Sequence, residues 1–220
     1  MTEGLIQAAI EQGFFEYRAN FEEPITLFWT SGRQAEIITA ISKVLTKWGA
    51  GLENVNWNTA PTNLAQVQLT FTIPSQFSSI QIGVAGVTMT AVNPDWSRAG
   101  SLVEMFGNAL KALTQTVGQS FQTHQTTLAF HIRPTVKPFR EAISAFINTK
   151  ALDSDDATMF GISVYHQDHV VVMDGSASIP GGMFVKLVRI FPADAQLEEM
   201  AKVIYQDEVN ALNRLGLKLQ

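Results

Sequence analysis

The chain has 220 residues, of which 46% are hydrophobic and only 16% are charged, and its formal net charge is −5. The 15 lysine and arginine residues are scattered, which excludes the clustered basic surface that tracks nucleic-acid phosphates. The absence of cysteine excludes a disulfide framework, thiolate zinc sites and cysteine nucleophiles, and it fits a reducing compartment.

The first 24 residues are predicted to be a separate N-terminal segment. Residues 1–15 lack the basic stretch of a signal peptide, and no apolar run approaches the roughly 20 residues that span a bilayer. We therefore expect a cytoplasmic protein without a membrane partner. Residues 5–10 predict a short helix. Four aromatic residues then predict an edge strand or a segment docked on the core: Phe14, Phe15, Tyr17 and Phe21.

Residues 25–120 predict a β-α-β-β-β-α unit. Residues 25–29 form a short extended run. In residues 37–45 the apolar side chains recur at i, i+4, i+7 and i+8, as on one face of a helix. Three runs of alternating apolar and polar residues, typical of half-buried strands, precede a second and longer helix. They lie at residues 65–73, 80–84 and 87–91, and the helix at 102–117.

Residues 121–220 predict the same order of elements at an offset of 102 residues. Asn-Ala-Leu occurs at 108–110 and at 210–212, and Ala-Ile-Ser at 40–42 and at 142–144. We therefore predict a tandem duplication. The alternative is an α+β domain whose helices resemble each other by chance. The elements of this half are predicted at residues 127–132, 139–147, 160–164, 170–173, 183–191 and 197–215.

Two such halves predict an α+β fold with an antiparallel sheet, or two sheets, and helices packed on one face. Joining the sheets edge to edge would remove exposed strand edges. Residues 118–127 are rich in Gln, Thr and Ser and predict a surface connection, in which His124 is solvated. His131 is expected to pack in the core, because the equivalent residue of the first half is Trp29.

The best candidate for catalytic chemistry is the segment Tyr165-His166-Gln167-Asp168-His169. Two histidines and an aspartate can act as metal ligands or as an acid–base pair. Because the segment lies between two predicted strands, it predicts a hairpin turn with the histidines as a cross-strand pair. A metal would need further ligands from elsewhere in the chain. We expect a polar hairpin tip, with a metal-dependent or acid–base hydrolase using His166, Asp168 and His169 as the alternative.

Strong catalytic and cofactor motifs are absent from the sequence, which contains no GxSxG, GxxxxGK[ST], HExxH or CxxC. Gly83 and Gly86 lie in a strand-turn-strand pattern and not between a strand and a helix, so they do not cradle a phosphate. Asp153, Asp155 and Asp156 lack the spacing of a calcium loop. We therefore expect no metal and no cofactor.

Two surfaces are candidates for ligand binding. The outward face of the first predicted sheet is polar but nearly uncharged and includes Gln66, Gln68 and Thr70. It suits hydrogen-bonded recognition or sheet-to-sheet association, although antiparallel sheets commonly leave one face in water. A long loop carries Trp48 and Trp57. Such aromatic residues recognise ligands or fold back onto the core.

The charged fraction of 16% is below the roughly 25% of ordinary domains, which favours a neutral surface covered by a partner or a second copy. With the missing motifs, it predicts a non-catalytic binding or scaffold module. We expect this module to form a homo-oligomer or to bind a protein or small-molecule ligand. A carrier that holds an apolar ligand between helices and sheet is a further hypothesis.

Overall fold

The computed structural model describes residues 6–25, 31–57, 67–95, 99–134, 161–214 and 216–219. Within them the chain forms an α+β fold of ten strands and three helices. The strands are β1 (Ile6–Phe21), β2 (Val55–Trp57), β3 (Gln68–Ile73), β4 (Ser78–Gly83), β5 (Gly86–Val92), β6 (Phe121–Pro134), β7 (Gly161–Tyr165), β8 (His169–Gly175), β9 (Met183–Phe191) and β10 (Leu217–Leu219). The helices are α1 (Ser31–Leu45), α2 (Ala99–Val117) and α3 (Leu197–Arg214). Each of these three helices is too short or too polar to cross a membrane.

The ten strands form one sheet in the order β2-β3-β4-β5-β1-β6-β9-β8-β7, and β10 pairs with β1 outside this order. Neighbouring strands run antiparallel within the first meander, β2 to β5, and within the second meander, β7 to β9, as do β1 and β5. The short pairing of β1 with β10 is parallel, with Ile6 opposite Leu217. The predicted α+β class and antiparallel sheet are therefore confirmed.

The chain divides into two compact units. Unit 1 comprises Met1–Gly13, Thr127–Arg189 and Lys202–Gln220, and unit 2 comprises Phe14–Thr126 and Ile190–Ala201. The long strands β1, β6 and β9 each contribute residues to both units.

The core of unit 2 follows from the sequence patterns. In α1 the residues at i, i+4 and i+8 are fully buried, namely Ile37, Ile41 and Leu45. Alternate residues of β3, β4 and β5 are buried in register, as in the row formed by Leu69, Ile82 and Val87. The helical stripes predicted at residues 37–45 and 102–117, and the three strands predicted between residues 65 and 91, are present in the described residues.

The helix predicted at residues 5–10 is wrong, because Ile6–Phe21 is a single strand. Tyr17, Ala19 and Phe21 are buried at every second position, as in a strand with one covered face. The aromatic residues do not form an edge strand either, since β5 and β6 lie on the two sides of β1. Pairing with distant strands overrides the helical propensity of the alanine-containing start of this segment.

The surface connection predicted at residues 118–127 is wrong from Phe121 onwards, where β6 begins. Thr126 and Thr127 are buried, and so is His124, which was predicted to be solvated. Threonine is favoured in strands, and this tendency outweighs the polar composition of the segment. The strand predicted within residues 26–29, the helix predicted at 139–147 and the acidic loop at 153–156 lie outside the described residues, as do Gln66 and Trp29.

Candidate functional site

The histidine hairpin tip has the predicted geometry. β7 ends at Tyr165 and β8 begins at His169. The backbone N–H of His166 donates to the carbonyl of His169 over 2.8 Å. The two imidazole rings are stacked, with centroids 4.0 Å apart and planes 10° from parallel. The turn therefore brings both histidines together in unit 1.

Asp168 is tied to His169 and to Arg189. Its Oδ1 lies 2.7 Å from His169 Nδ1, and its Oδ2 lies 2.5 Å from Arg189 Nη1. Arg189 Nη2 is also 3.1 Å from the same imidazole nitrogen. This nitrogen either donates to the carboxylate or accepts from the guanidinium, and it cannot do both at once. The shorter distance assigns the Nδ1 proton to the contact with the carboxylate. This hydrogen bond, helped by the charge of Arg189 and only partly opposed by burial, lowers the pKa of Asp168.

Arg189 joins the hairpin tip to α3. Its Nε lies 2.6 Å from Asp207 Oδ2 and its Nη2 lies 3.0 Å from Asp207 Oδ1, a bidentate pairing. The side chains are only 15% and 13% exposed. The tip is therefore an ion-paired clamp in which Arg189 contacts Asp168, His169 and Asp207. The described residues contain no group of three or more histidine, aspartate or glutamate side chains arranged to hold a metal ion.

The two tryptophans of the predicted binding loop lie in different settings. Trp48 is buried, its Nε1 donates to Ser101 Oγ over 3.2 Å, and Lys47 Nζ lies 4.9 Å from its ring centroid. Trp57 is 36% exposed on β2, opposite Leu69 of β3. Trp48 thus packs in unit 2, and Trp57 retains partial access to solvent.

The outward face of the first meander is polar, as predicted. Gln68 and Thr70 of β3 are half-buried, and Thr70 lies opposite Gln81 in the ladder. In the neighbouring row Ser79 and Thr90 join their hydroxyl groups over 2.8 Å. Some polar groups of this face therefore form hydrogen bonds with each other, as on a solvated face of an antiparallel sheet.

Unit 2 contains a groove of about 850 Å³ that the sequence did not predict. It lies between the second half of α2, the segment that leads into β6, and the segment that leads into α3. We call it the unit 2 groove. Six neutral polar side chains line it: Asn108, Thr114, Gln115, Gln119, Ser120 and Gln196.

The floor of the unit 2 groove contains a buried hydrogen-bonded chain. The Tyr17 hydroxyl lies 2.7 Å from His124 Nδ1, and His124 Nε2 lies 3.0 Å from the carbonyl of Ala193. A carbonyl only accepts, so Nε2 carries the proton and Nδ1 accepts from Tyr17. Burial raises the pKa of Tyr17. Both imidazole nitrogens are therefore engaged in hydrogen bonds.

Three lining groups of the groove lack partners among the described residues. The Oε1 atom of Gln119 is buried without a hydrogen bond. Lys111 and Glu198 are exposed, and neither forms an ion pair in the described part of the chain. Glu198 Oε1 lies over Gly107, where an added Cβ would come within 3.3 Å of it. The groove thus presents one cation, one anion and one unsatisfied amide.

Sequence reasoning also missed a serine–histidine cluster in unit 1. His131 Nδ1 lies 2.8 Å from Ser176 Oγ and 3.2 Å from Ser178 Oγ. Ser176 Oγ also accepts the backbone N–H of Ile179 over 2.9 Å, so it closes a turn of the β8–β9 loop. The imidazole packs against Phe184 at 4.9 Å, which agrees with the packing role predicted for His131. The cluster is explained by loop structure.

Comparison with known proteins adds no assignment to these sites. No protein-family model matches the chain, and no curated protein sequence matches it. The geometry and chemistry of the described residues therefore provide the basis for a functional proposal.

Proposed function

We propose that the protein is a non-catalytic binding module whose ligand occupies the unit 2 groove. The observation that supports this most is the convergence of neutral hydrogen-bonding side chains above the paired Tyr17 and His124. The volume of about 850 Å³ falls within the range of small-molecule sites. Because both nitrogens of His124 are engaged, the floor offers a surface for binding and no free base.

Nuclear magnetic resonance of isotope-labelled protein tests this proposal. Addition of a small-molecule cell extract is expected to shift the amide signals of Gln115, Gln119 and Ser120. The variant Asn108→Trp, which fills the groove, should abolish these shifts. Thr39→Trp places the same bulk on an exposed position of α1 and should preserve them. Unchanged groove signals, or equal shifts in both variants, would contradict the proposal.

We also propose that the chain self-associates through β7. This strand ends the order of described strands, and its five residues include no charge and no proline. Natural edge strands usually carry such features to prevent pairing. Tyr165 at its end is 78% exposed. Light scattering after size exclusion should find a dimer. Ser163→Lys should dissociate this dimer, whereas the control Thr72→Lys on β3 should leave it intact. A monomer at high concentration would contradict this proposal.

The tandem duplication is proposed on the order of elements. β1, α1, the four strands β2 to β5 and α2 are followed by β6, the three strands β7 to β9 and α3, so that α1 and β2 lack counterparts among the described residues. In the sheet, β5, β4 and β3 follow one another outwards from β1, and β9, β8 and β7 follow one another outwards from β6. This matching supports β1 as the counterpart of β6, in place of residues 25–29. A crystal structure in which the two halves fail to superimpose would refute the duplication.

A hydrolase that uses the hairpin tip is the second candidate. It is favoured by the contact in which Asp168 accepts the Nδ1 proton of His169, because this orients Nε2 as a base. Purified protein would be tested for bound metal by elemental analysis and against ester and phosphoester substrates. Activity that His169→Ala abolishes and His131→Ala retains supports this candidate, and inactivity without bound metal rejects it.

We propose the cytoplasm as the location of the protein. The chain contains no cysteine, which fits a reducing compartment. Subcellular fractionation of the tagged protein tests this proposal, and recovery in a membrane or extracellular fraction would contradict it.

A further inference from the structure

We infer that the unit 2 groove binds the zwitterionic head of a free α-amino acid, with its ammonium group at Glu198 and its carboxylate at Lys111. The inference rests on the proposed binding function and specifies its ligand. It starts from the charges of the groove, because Lys111 and Glu198 are the two formally charged residues in its lining. One cation and one anion match a ligand that carries one charge of each sign.

Neither of these charges is already neutralised. Elsewhere in unit 2, lysine and arginine side chains form ion pairs with nearby carboxylates, as Lys47 does with Glu104. Lys111 and Glu198 form no such pair among the described residues, and both are exposed at the groove. Charged groups that stay unpaired within one small groove are suited to charge-assisted hydrogen bonds with a ligand.

The positions of the two charged groups relative to α2 suit a single amino acid. Glu198 Oε1 lies over Gly107, and Lys111 follows one helical turn later, a rise of about 6 Å along α2. Backbone bond lengths separate an amino-acid nitrogen from its carboxylate carbon by about 2.5 Å. With a contact of about 2.8 Å at each end, the zwitterion spans about 8 Å, within reach of the flexible lysine stem. Each further residue of an extended peptide would add about 3.3 Å between its termini, so a single amino acid is the smallest ligand that carries both charges.

The neutral lining provides for the rest of the ligand. The amide of Gln119 has a buried Oε1 without a donor, and rotation of this amide would bring it to an N–H or O–H of the ligand. Leu110, Leu197 and Met200 also line the groove and offer apolar contacts. The site is therefore suited to an amino acid whose side chain combines apolar and hydrogen-bonding groups.

Titration calorimetry with each of the twenty common amino acids tests the inference. The best binder is then compared with its N-acetyl derivative, which lacks the ammonium group, and its primary amide, which lacks the carboxylate. Each derivative should bind about tenfold more weakly, as expected for the loss of a hydrogen bond between charged groups.

Two charge-removing variants assign each end of the ligand. Lys111→Gln should abolish the preference for the acid over the amide. Glu198→Gln should abolish the preference for the amine over the N-acetyl form. Matched controls are Lys43→Gln and Glu199→Gln, which remove exposed charges of the same kind outside the groove lining and should leave both preferences unchanged.

The outcomes separate this inference from the proposed function. Equal binding of the amino acid and its derivatives, or no amino-acid binding while extract still shifts the groove signals, overturns the zwitterion and leaves the binding function standing. Amino-acid binding that survives Asn108→Trp places the ligand elsewhere and overturns the inference. Groove signals that respond to neither extract nor amino acid refute both.

Discussion

The hydroxyl group of Tyr17 lies 2.7 Å from Nδ1 of His124, a residue 107 positions further along the chain. The two residues lie on β1 and β6, and their rings are tilted against each other at 5.9 Å. This contact orients the imidazole and closes the floor of the unit 2 groove. It therefore links the packing of unit 2 to the chemistry of its candidate site.

Tyr17→Phe removes the donor and leaves a buried imidazole nitrogen without a partner. We expect a loss of about 1–2 kcal/mol in the free energy of unfolding, measured by urea denaturation. Tyr205→Phe is the control, because Tyr205 is 66% exposed and should cost almost nothing. Similar values for the two variants would show that the Tyr17 hydrogen bond adds no stability.

Asp207→Asn tests the ion-paired clamp around Arg189. The substitution weakens a bidentate, mostly buried contact and leaves the guanidinium short of a counter-charge. We expect a loss of about 2–3 kcal/mol in the free energy of unfolding. Glu36→Gln breaks the exposed pair with Arg33 and should cost less than about 0.5 kcal/mol. The clamp interpretation fails if the exposed pair proves as important as the buried one.

Glu208 should make stability depend on pH. Burial raises the pKa of this carboxyl group from 4.5 to about 7 in the folded protein. The folded state therefore binds more protons than the unfolded state between these values. The stabilisation of the folded state by this proton uptake at Glu208 is full below pH 4.5 and is lost as the pH rises through about 7. The free energy of unfolding falls by at most about 3 kcal/mol in this range.

Glu208→Gln should remove this part of the pH dependence. The measurement is the free energy of unfolding of both proteins between pH 4.5 and 8, with Glu199→Gln as an exposed control. The variant and the wild type are expected to diverge as the pH rises, with the variant more stable at pH 8. Parallel curves would exclude an elevated pKa for Glu208.

Phe77 has a left-handed backbone, with φ 46° and ψ 42°, and its side chain is 72% exposed. Such a conformation is unfavourable for a bulky residue and tolerated by asparagine. Phe77→Asn should therefore stabilise the protein by about 1 kcal/mol in thermal unfolding. Phe77→Ala removes the same ring and keeps most of the strain, so it should give a smaller gain. An equal gain would attribute the effect to the ring and not to the backbone.

Local patterns predicted the elements that depend on neighbouring residues. The alternation from Gln68 to Ile73 and the stripe of Ile37, Ile41 and Leu45 each lie within a few residues, and both elements formed as expected. The start of β1 was mistaken for a helix because its partners are Leu217 to Leu219, which no local pattern reveals. Tertiary pairing decided the structure of this segment.

The candidate sites also differ in whether neighbouring or distant residues form them. The histidine hairpin tip was predictable because five consecutive residues form it. The unit 2 groove was not, because Tyr17, Gln119 and Glu198 meet only after α2, β6 and the start of α3 are in place. A single histidine in a threonine-rich run gave no sign that its partner would be a tyrosine 107 residues earlier.

The parallel pairing of Ile6 with Leu217 has a consequence for the order of folding. On the ribosome this contact cannot form until Leu217 has left the exit tunnel, so Ile6 must wait for the synthesis of all the residues between them. Closing so large a loop is entropically costly and slow. During translation, the start of β1 therefore lacks β10 as a partner and is open to chaperones until β10 has been made.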